Sequence, residues 1–345
     1  MSPMVSVVIK SYNHAAYIHQ SIQSILDQSF QDFEIVITDD GSTDKTPDII
    51  RKFTDPRIHL EILPNNNGIS IAMNKTIERA RGKYIAILNS DDYALSGRLE
   101  QQVKFLESNS DISVLFGLPM PVDDNGRETE SFDDFTRPLS FPDFSCSTWL
   151  RNFFFHGNCL CAPTAMIRST VYKQVGEYDP RLTALQDFEM WIRMLKARNN
   201  FYVLPIELTA FRIRDKNLNM SAPRFDSRLR STFELSQVLK QYCTVNLGLL
   251  TSTFSKDIAR IGLSSDDPYE VWIPELALTI NSPAHNLFAL QLMFDTAKDI
   301  NDIHRLRDYT GRINIFNIFK QSSKIFRAKK IIKSIRTLLK KIGAS

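Results

Sequence analysis

The sequence predicts an α/β protein, a Rossmann-like, mostly parallel sheet covered by helices and followed by a helical C-terminal region. Three observations predict it. Apolar strands and amphipathic helices alternate as β-α-β-α-β-α-β between residues 4 and 88, the pattern of a largely parallel sheet with right-handed crossovers. Two of those strands run straight into acidic turns, Phe33-Glu34-Ile35-Val36-Ile37-Thr38-Asp39-Asp40-Gly41 and Tyr84-Ile85-Ala86-Ile87-Leu88-Asn89-Ser90-Asp91-Asp92; open α/β sheets bind ligands outside the C-terminal ends of their strands. From residue 224 onward only helical patterns recur.

Residues 4–10 form a short apolar strand. Residues 15–29 form a helix whose stripe is Ile18, Ile22, Ile25 and Leu26, spaced by three and four. Residues 33–38 are the second strand. Ser42-Thr43-Asp44 opens the next helix, with Pro47 tolerated in its first turn and Ile49, Ile50 and Phe53 facing inward. Residues 57–63 are the third strand, and Asn65-Asn66-Asn67-Gly68 turns into a helix carrying Ile71, Ala72, Ile77 and Ala80. Gly82 suits the left-handed cap that closes it, and Tyr84–Leu88 is the fourth strand. Residues 97–109 read as helix and Ser113–Phe116 as strand. Residues 119–146, rich in Asp, Pro, Phe and Ser, read as a loop over the functional face. Residues 149–168 mix aromatics, a central His156-Gly157-Asn158 and strand-like alternation; Arg168–Val175 is a short helix ended by Gly176. Residues 186–197 are helical, 202–204 and 208–213 are strands, and 229–241 and 284–300 are helices. The domain boundary falls near residue 220.

The chain has 345 residues, more than one domain usually needs, and 43% hydrophobic with 23% charged residues is an ordinary globular composition. No apolar run reaches the length of about 20 residues that crosses a bilayer. The N-terminus enters its first strand at once, without the pattern of a secretory leader. Cys146, Cys159, Cys161 and Cys243 lack metal-hook spacing and read as small buried thiols in a reducing, cytoplasmic setting. Ten Lys and Arg residues and no acid follow Asp308, so the net charge of +3 leaves −7 for residues 1–308. An acidic body argues against nucleic acid as a partner. In the tail, Phe319, Ile325, Phe326, Ile331, Ile332, Ile335, Leu338, Leu339 and Ile342 recur at helical spacing among lysines. Such a helix either lies peripherally on an anionic membrane surface at the inner face of the cell membrane, or packs its stripe on the preceding helices.

The turn after the first strand, Lys10-Ser11-Tyr12-Asn13-His14, has no glycine, which excludes the dinucleotide fingerprint; a Walker A loop is absent too. Phosphate must be neutralised otherwise. Asp91 and Asp92 are hard oxygen ligands suited to Mg²⁺ or Mn²⁺, whose shell substrate phosphates complete; Asp92 also suits orienting or capping its turn. Asp39 and Asp40 can accept from a base N–H or a ribose hydroxyl, with Tyr12 lying against the base. In Gln186-Asp187-Phe188-Glu189-Met190-Trp191-Ile192-Arg193 the stripe of Phe188, Trp191 and Leu195 anchors the helix. Asp187 lies beside it, placed either for the helix dipole or as a fixed general base.

These residues resemble the family 2 glycosyltransferases of the GT-A fold. The likeness is carried, from about residue 3 to 220, by Val5–Asn13, Val36–Asp44, Asn67-Gly68 with Asn74, Arg81–Asp92 and Gln186–Arg193. It implies a GT-A catalytic domain over residues 1–220, with a nucleotide-sugar half at 1–118 and an acceptor half at 119–220, before a helical region at 221–345. It implies a hexosyltransferase-like, inverting, metal-dependent enzyme of bacterial polysaccharide biosynthesis. Its donor would be a nucleoside-diphosphate sugar and its acceptor a glycan or lipid-linked hydroxyl, an oligomer remaining open. Ser11, Tyr12, Asn13, Asp39, Asp40, Asn67 and Ser90 would then hold the nucleotide, Asp91 would be the metal-binding acid of the D-x-D motif, and Asp187 the base of the E-D motif. The chain departs from these motifs at Asn89 and Gln186, and Phe211-Arg212-Ile213-Arg214 puts Arg where the family often has His. Arg212 is expected on the diphosphate. No Gln-x-x-Arg-Trp motif of processive synthases occurs, so one transfer per binding event is expected. The alternatives are a nucleotidyltransferase making a nucleotide-sugar and a non-catalytic scaffold on the same fold.

Overall fold

A computed structural model of the protein describes residues 2–129, 133–214 and 225–296. The basic tail, and with it the membrane-facing or packed helix expected there, lies outside the described residues. In chain order the elements begin β1 (Val5–Ser11), α1 (Ile18–Leu26), β2 (Phe33–Asp39), α2 (Thr46–Arg51), β3 (Ile58–Ile62), α3 (Ile69–Arg79) and β4 (Tyr84–Asn89). Next come β5 (Tyr93–Ala94), α4 (Arg98–Ser108), β6 (Ile112–Val122), α5 (Asp133–Thr136), α6 (Cys146–His156), β7 (Met166–Arg168) and α7 (Ser169–Val175). The rest are α8 (Gln186–Lys196), β8 (Asn200–Arg212), α9 (Phe225–Val238), α10 (Leu247–Arg260), α11 (Tyr269–Leu278) and α12 (Pro283–Thr296).

The strands form one sheet in the order β3-β2-β1-β4-β7-β6-β8-β5. The first four are parallel, as the alternation of strands and helices predicts, while β7 pairs antiparallel with both β4 and β6. Val5, Val7 and Ile9 of β1 meet Ile18, Ile22 and Ile25 of α1 in a core that also takes Ile35, Ile37, Ala86 and Leu88, all fully buried. Burying one such aliphatic side chain stabilises the fold by roughly 1.5–3 kcal/mol.

Three segments differ from the sequence reading. β6 continues through Pro119 and Pro121 to Val122 instead of becoming a loop at 119. Its partner beyond Phe116 is β8, which pairs with it in parallel up to Val122↔Arg212, whereas β7 leaves it after Leu115. Prolines two apart turn their nitrogens to the same edge of a strand, so both can avoid the paired one. β8 is in turn one strand over Asn200–Arg212 rather than two, with irregular register opposite Phe116–Pro119. The aromatic run at 149–156 is α6, started by Ser145, whose hydroxyl accepts from the Thr148 N–H, and ended at Gly157 with φ 75°. A glycine takes that left-handed conformation without strain.

The chain divides into two compact units, one ending at Phe254 and one starting at Ser255. The first therefore runs past residue 220. Tyr242 donates to the Leu150 carbonyl at 2.8 Å, and the Phe154 ring lies 5.1 Å from those of Tyr242 and Phe254. In the second unit α11 and α12 pack through Trp272, Ile273, Leu276, Phe288 and Ala289, all buried. No helix among the described residues is long and apolar enough to cross a membrane.

Candidate active site

Parallel register brings the C-terminal ends of β1, β2 and β4 together: Ser11 pairs with Asp39, and Lys10 with both Thr38 and Asn89. The loops beyond are built by carboxylates. Asp39, fully buried, accepts from the Ser11 and Ser42 hydroxyls at 2.7 Å each and from the Ser42 N–H at 2.8 Å. Asn13, held at φ 53°, accepts from the Thr43 N–H at 2.8 Å, while its own N–H donates to Ser42 Oγ at 2.8 Å. Asp40 accepts from the Asn67 N–H at 2.8 Å and the Gly68 N–H at 2.9 Å; burial pushes its carboxyl upward against those bonds. Gly41 allows this turn, because a Cβ there would sit 2.6 Å from the Asn65 carbonyl carbon. The expected nucleotide residues thus form one wall. Asp39 and Asp40 shape it from within, and Tyr12 stands 42% exposed on its surface.

The acidic turn after β4 is tied down more tightly than its sequence suggests. Asn89 accepts from Lys10 Nζ at 2.8 Å and donates to Asp92 Oδ2 at 2.8 Å, and Asp92 Oδ1 accepts from the Arg212 N–H at 2.8 Å. Burial first, then Asp91, pushes the Asp92 carboxyl up to about 8. Both Asp92 oxygens are engaged within the protein and the residue is buried, an arrangement that orients the turn. The Arg212 guanidinium is engaged within the protein as well. Its Nε donates to the Asp91 carbonyl at 2.8 Å, its Nη1 to the Asp123 and Asp124 carbonyls at 2.8 and 2.9 Å, and its Nη2 to Gln20 Oε1 at 2.7 Å. A guanidinium has five N–H donors, and here they tie the acidic turn after β4 to the Asp123-Asp124 turn and to α1. Arg212→Met should lower unfolding free energy by about 3 kcal/mol, read from urea denaturation. A diphosphate ligand open to the crevice would instead lose donor affinity with little change in stability.

Asp91 remains for a cation. Its side chain is 16% exposed and its Oδ2 lies 3.8 Å from His14 Nε2. His14 Nδ1 is 2.7 Å from Ser90 Oγ and its Nε2 is 3.2 Å from Arg214 Nη1. Because Arg can only donate, Nε2 accepts and the proton sits on Nδ1. Burial, and then the Arg214 and Lys10 charges, hold this imidazole below its usual pKa against the pull of Asp91, which agrees with a neutral ring. Among the described residues no group of three His, Cys, Asp or Glu could hold a metal unaided. A divalent cation fits here only as one held by Asp91 and completed by substrate oxygens.

Asp187 enters from the other half. α8 is fixed by Phe188, Trp191, Met194 and Leu195, all buried, with Trp191 edge-on to Phe116 at 5.2 Å. Asp187, half-buried at the start of this helix, accepts from the Phe188 N–H at 2.8 Å. Burial pushes its carboxyl up to about 6, opposed by that bond and by Lys10. Lys10 lies within electrostatic reach of Asp91, Asp187 and Asp92, and burial lowers its own pKa against all three. One ammonium is therefore within electrostatic reach of both acidic clusters. Gln186 Oε1 is buried without a hydrogen-bond partner among the described residues. Sequence reasoning missed Lys10 and His14 as site residues, although a charged residue ending an apolar strand at this sheet edge was a visible signal. His156-Gly157-Asn158 is the end of α6, where Arg137 Nη2 donates to the Gly157 carbonyl at 3.1 Å.

The chain is similar to known proteins in sequence and in fold. The model of the family Glycosyl transferase family 2 matches residues 6–176. An uncharacterised glycosyltransferase of Methanocaldococcus jannaschii is 34% identical over 223 residues, 64% of this chain and 74% of the relative. TuaG of Bacillus subtilis, a glycosyltransferase named for teichuronic acid biosynthesis, is 33% identical over 220 residues, 63% of this chain and 82% of its own. Among solved structures, S. aureus TarS 1–349 in complex with UDP-GlcNAc superposes with a TM-score of 0.57 at 17% identity, covering 89% of this chain and 91% of that one. The mannosyltransferase PcManGT of Pyrobaculum calidifontis, in complex with GDP-Man and Mn²⁺, does so at 0.50 and 14%, covering 95% and 88%. At these identities the structural likeness speaks for the fold.

Proposed function

The chain belongs to glycosyl transferase family 2, and from that premise we propose that it is a metal-dependent inverting enzyme with Asp187 as general base. It transfers a sugar from a nucleoside-diphosphate sugar to a hydroxyl of a glycan or lipid-linked acceptor. The observation that carries this reading is the position of Lys10 at the end of β1, bonded to Asn89 of the acidic turn and within electrostatic reach of both Asp91 and Asp187, the latter a carboxylate raised to about 6 by burial. Polysaccharide assembly is the setting that the name of TuaG supports, and the donor class is that of the UDP-GlcNAc bound to TarS and the GDP-Man bound to PcManGT.

In this reading the loop Ser11–Asn13 and the turns after Asp39 and Asn67 cradle the base and ribose, Tyr12 lying against the base. A Mn²⁺ or Mg²⁺ ion held by Asp91 and the donor phosphates would neutralise charge on the departing diphosphate. Asp187 takes the proton of the acceptor hydroxyl as its oxygen attacks the anomeric carbon and the bond to the diphosphate breaks. Burial raises its pKa and makes it a stronger base than an exposed Asp, while the Phe188 N–H bond and then Lys10 oppose that rise. The single displacement inverts the sugar.

With Mn²⁺ and a panel of UDP-, GDP- and dTDP-sugars, at least one donor should release its nucleoside diphosphate, and faster when the acceptor is present. Formation of pyrophosphate and a nucleotide-sugar from a sugar 1-phosphate would instead show nucleotidyl transfer. Donor binding with no turnover on any acceptor would leave only the scaffold.

A further inference from the structure

The helix that carries Asp187 has no capping side chain of its own; α9 provides one. Glu234, only 4% exposed, accepts on one oxygen from the Thr183 N–H at 2.9 Å and the Thr183 hydroxyl at 2.7 Å. On the other it accepts from the Ala184 and Leu185 N–H groups at 2.9 Å each. A carboxylate across three successive N–H groups at the positive end of a helix makes charge-assisted bonds and is favoured by the helix dipole.

The same segment is held from the opposite side by α3. Ser70 donates to the Leu182 carbonyl at 2.8 Å, and Asn74 exchanges two bonds of 2.8 Å with the Tyr178 backbone. α3 itself starts at the Asn67-Gly68 turn that Asp40 holds. One turn into α8, Gln241 donates to Glu189 at 2.7 Å. The lead-in to the base is thus clamped between the nucleotide wall and residues 234–241, well beyond residue 176, where the family match stops.

We propose that Glu234 is a positioning residue for the transfer reaction: by fixing Thr183–Leu185 it sets where Asp187 stands in the crevice, and the chain after residue 220 completes the catalytic machinery. The proposal rests on Asp187 being the base. Asp187 follows Leu185 by two residues, and a displacement of about 1 Å at a reacting group can lower a rate roughly 100-fold. Among the described residues Glu234 bonds to Thr183, Ala184 and Leu185 and not to the tips of β1, β2 and β4, so its charge should leave nucleotide binding unchanged.

The test compares full-length wild type with Glu234→Gln, Glu234→Asp and Asp187→Asn. The readouts are calorimetric binding of UDP, GDP and dTDP, the kcat and its acid limb with the donor from the panel above, and thermal unfolding. Gln turns an amide N–H₂ toward backbone N–H donors, so E234Q should lose at least tenfold in kcat and shift the acid limb, with nucleotide Kd within twofold of wild type. E234D, which keeps the charge on a shorter arm, should recover part of that loss. Wild-type kcat and acid limb in a folded E234Q overturn the proposal. If E234Q no longer binds nucleotide, Thr183→Val decides, because it removes one Glu234 bond and nothing at the nucleotide wall. A several-fold fall in kcat at unchanged Kd supports the clamp, and an unchanged kcat overturns it. An inactive D187N beside a normal E234Q removes only this proposal, whereas near-normal D187N removes the base reading and this one with it.

Discussion

Asp187→Asn should lower turnover by roughly 100-fold or more while nucleotide and donor affinity stay near wild type, because the amide keeps the shape but cannot take the acceptor's proton. The carboxyl of Asp187 sits near 6, so wild-type kcat/KM should fall as pH drops through about 6 and level off above it; the residual activity of D187N should lack that limb. Stability should move the other way. The folded pKa lies above the value of about 3.9 for a free Asp. The group therefore favours the folded state fully only below pH 3.9, and that advantage is lost as pH rises toward 6. At pH 7.5 the buried charge costs on the order of 2 kcal/mol, allowing for partial exposure, and D187N should unfold at a higher temperature than wild type. A variant that is less active and more stable marks a functional carboxylate. Near-normal turnover with the true acceptor would remove Asp187 from the mechanism.

Asp91→Ala should abolish the response of donor binding to Mn²⁺ and lower turnover by roughly 100-fold or more. The neighbouring acid is engaged within the protein, Asp92 bonding to Asn89 and to the Arg212 N–H. Nucleoside diphosphate titrations with and without Mn²⁺ measure it directly. In wild type the ion should tighten binding; in D91A the two curves should coincide. If D91A keeps the wild-type dependence on Mn²⁺, the ion sits elsewhere.

Much of this site is legible in the sequence because it stands at element ends. Apolar runs that stop at Asp39 and Asn89 announce strand tips, and the stripe Phe188, Trp191, Leu195 shows that Asp187 begins a well-anchored helix. The side chains that condition those acids were not legible. Nothing in the sequence signals that β8 runs beside the acidic turn, where the Arg212 N–H meets Asp92, 120 residues away. Residues 119–122 look like loop, since Pro119 and Pro121 are tolerable in a strand only on an edge that another strand has left.

By itself the sequence determined the parallel half-sheet, the family and the acids at the strand ends, since each depends on periodicity and motifs within a short stretch. Tertiary structure alone decided which partners those acids bond to, that Lys10 lies within electrostatic reach of Asp91 and Asp187, and that Glu234 holds the lead-in to Asp187. A residue's own neighbours report which face it turns inward. Its hydrogen-bond partner depends on strand order, here on β1 lying between β2 and β4, and no local pattern encodes that order.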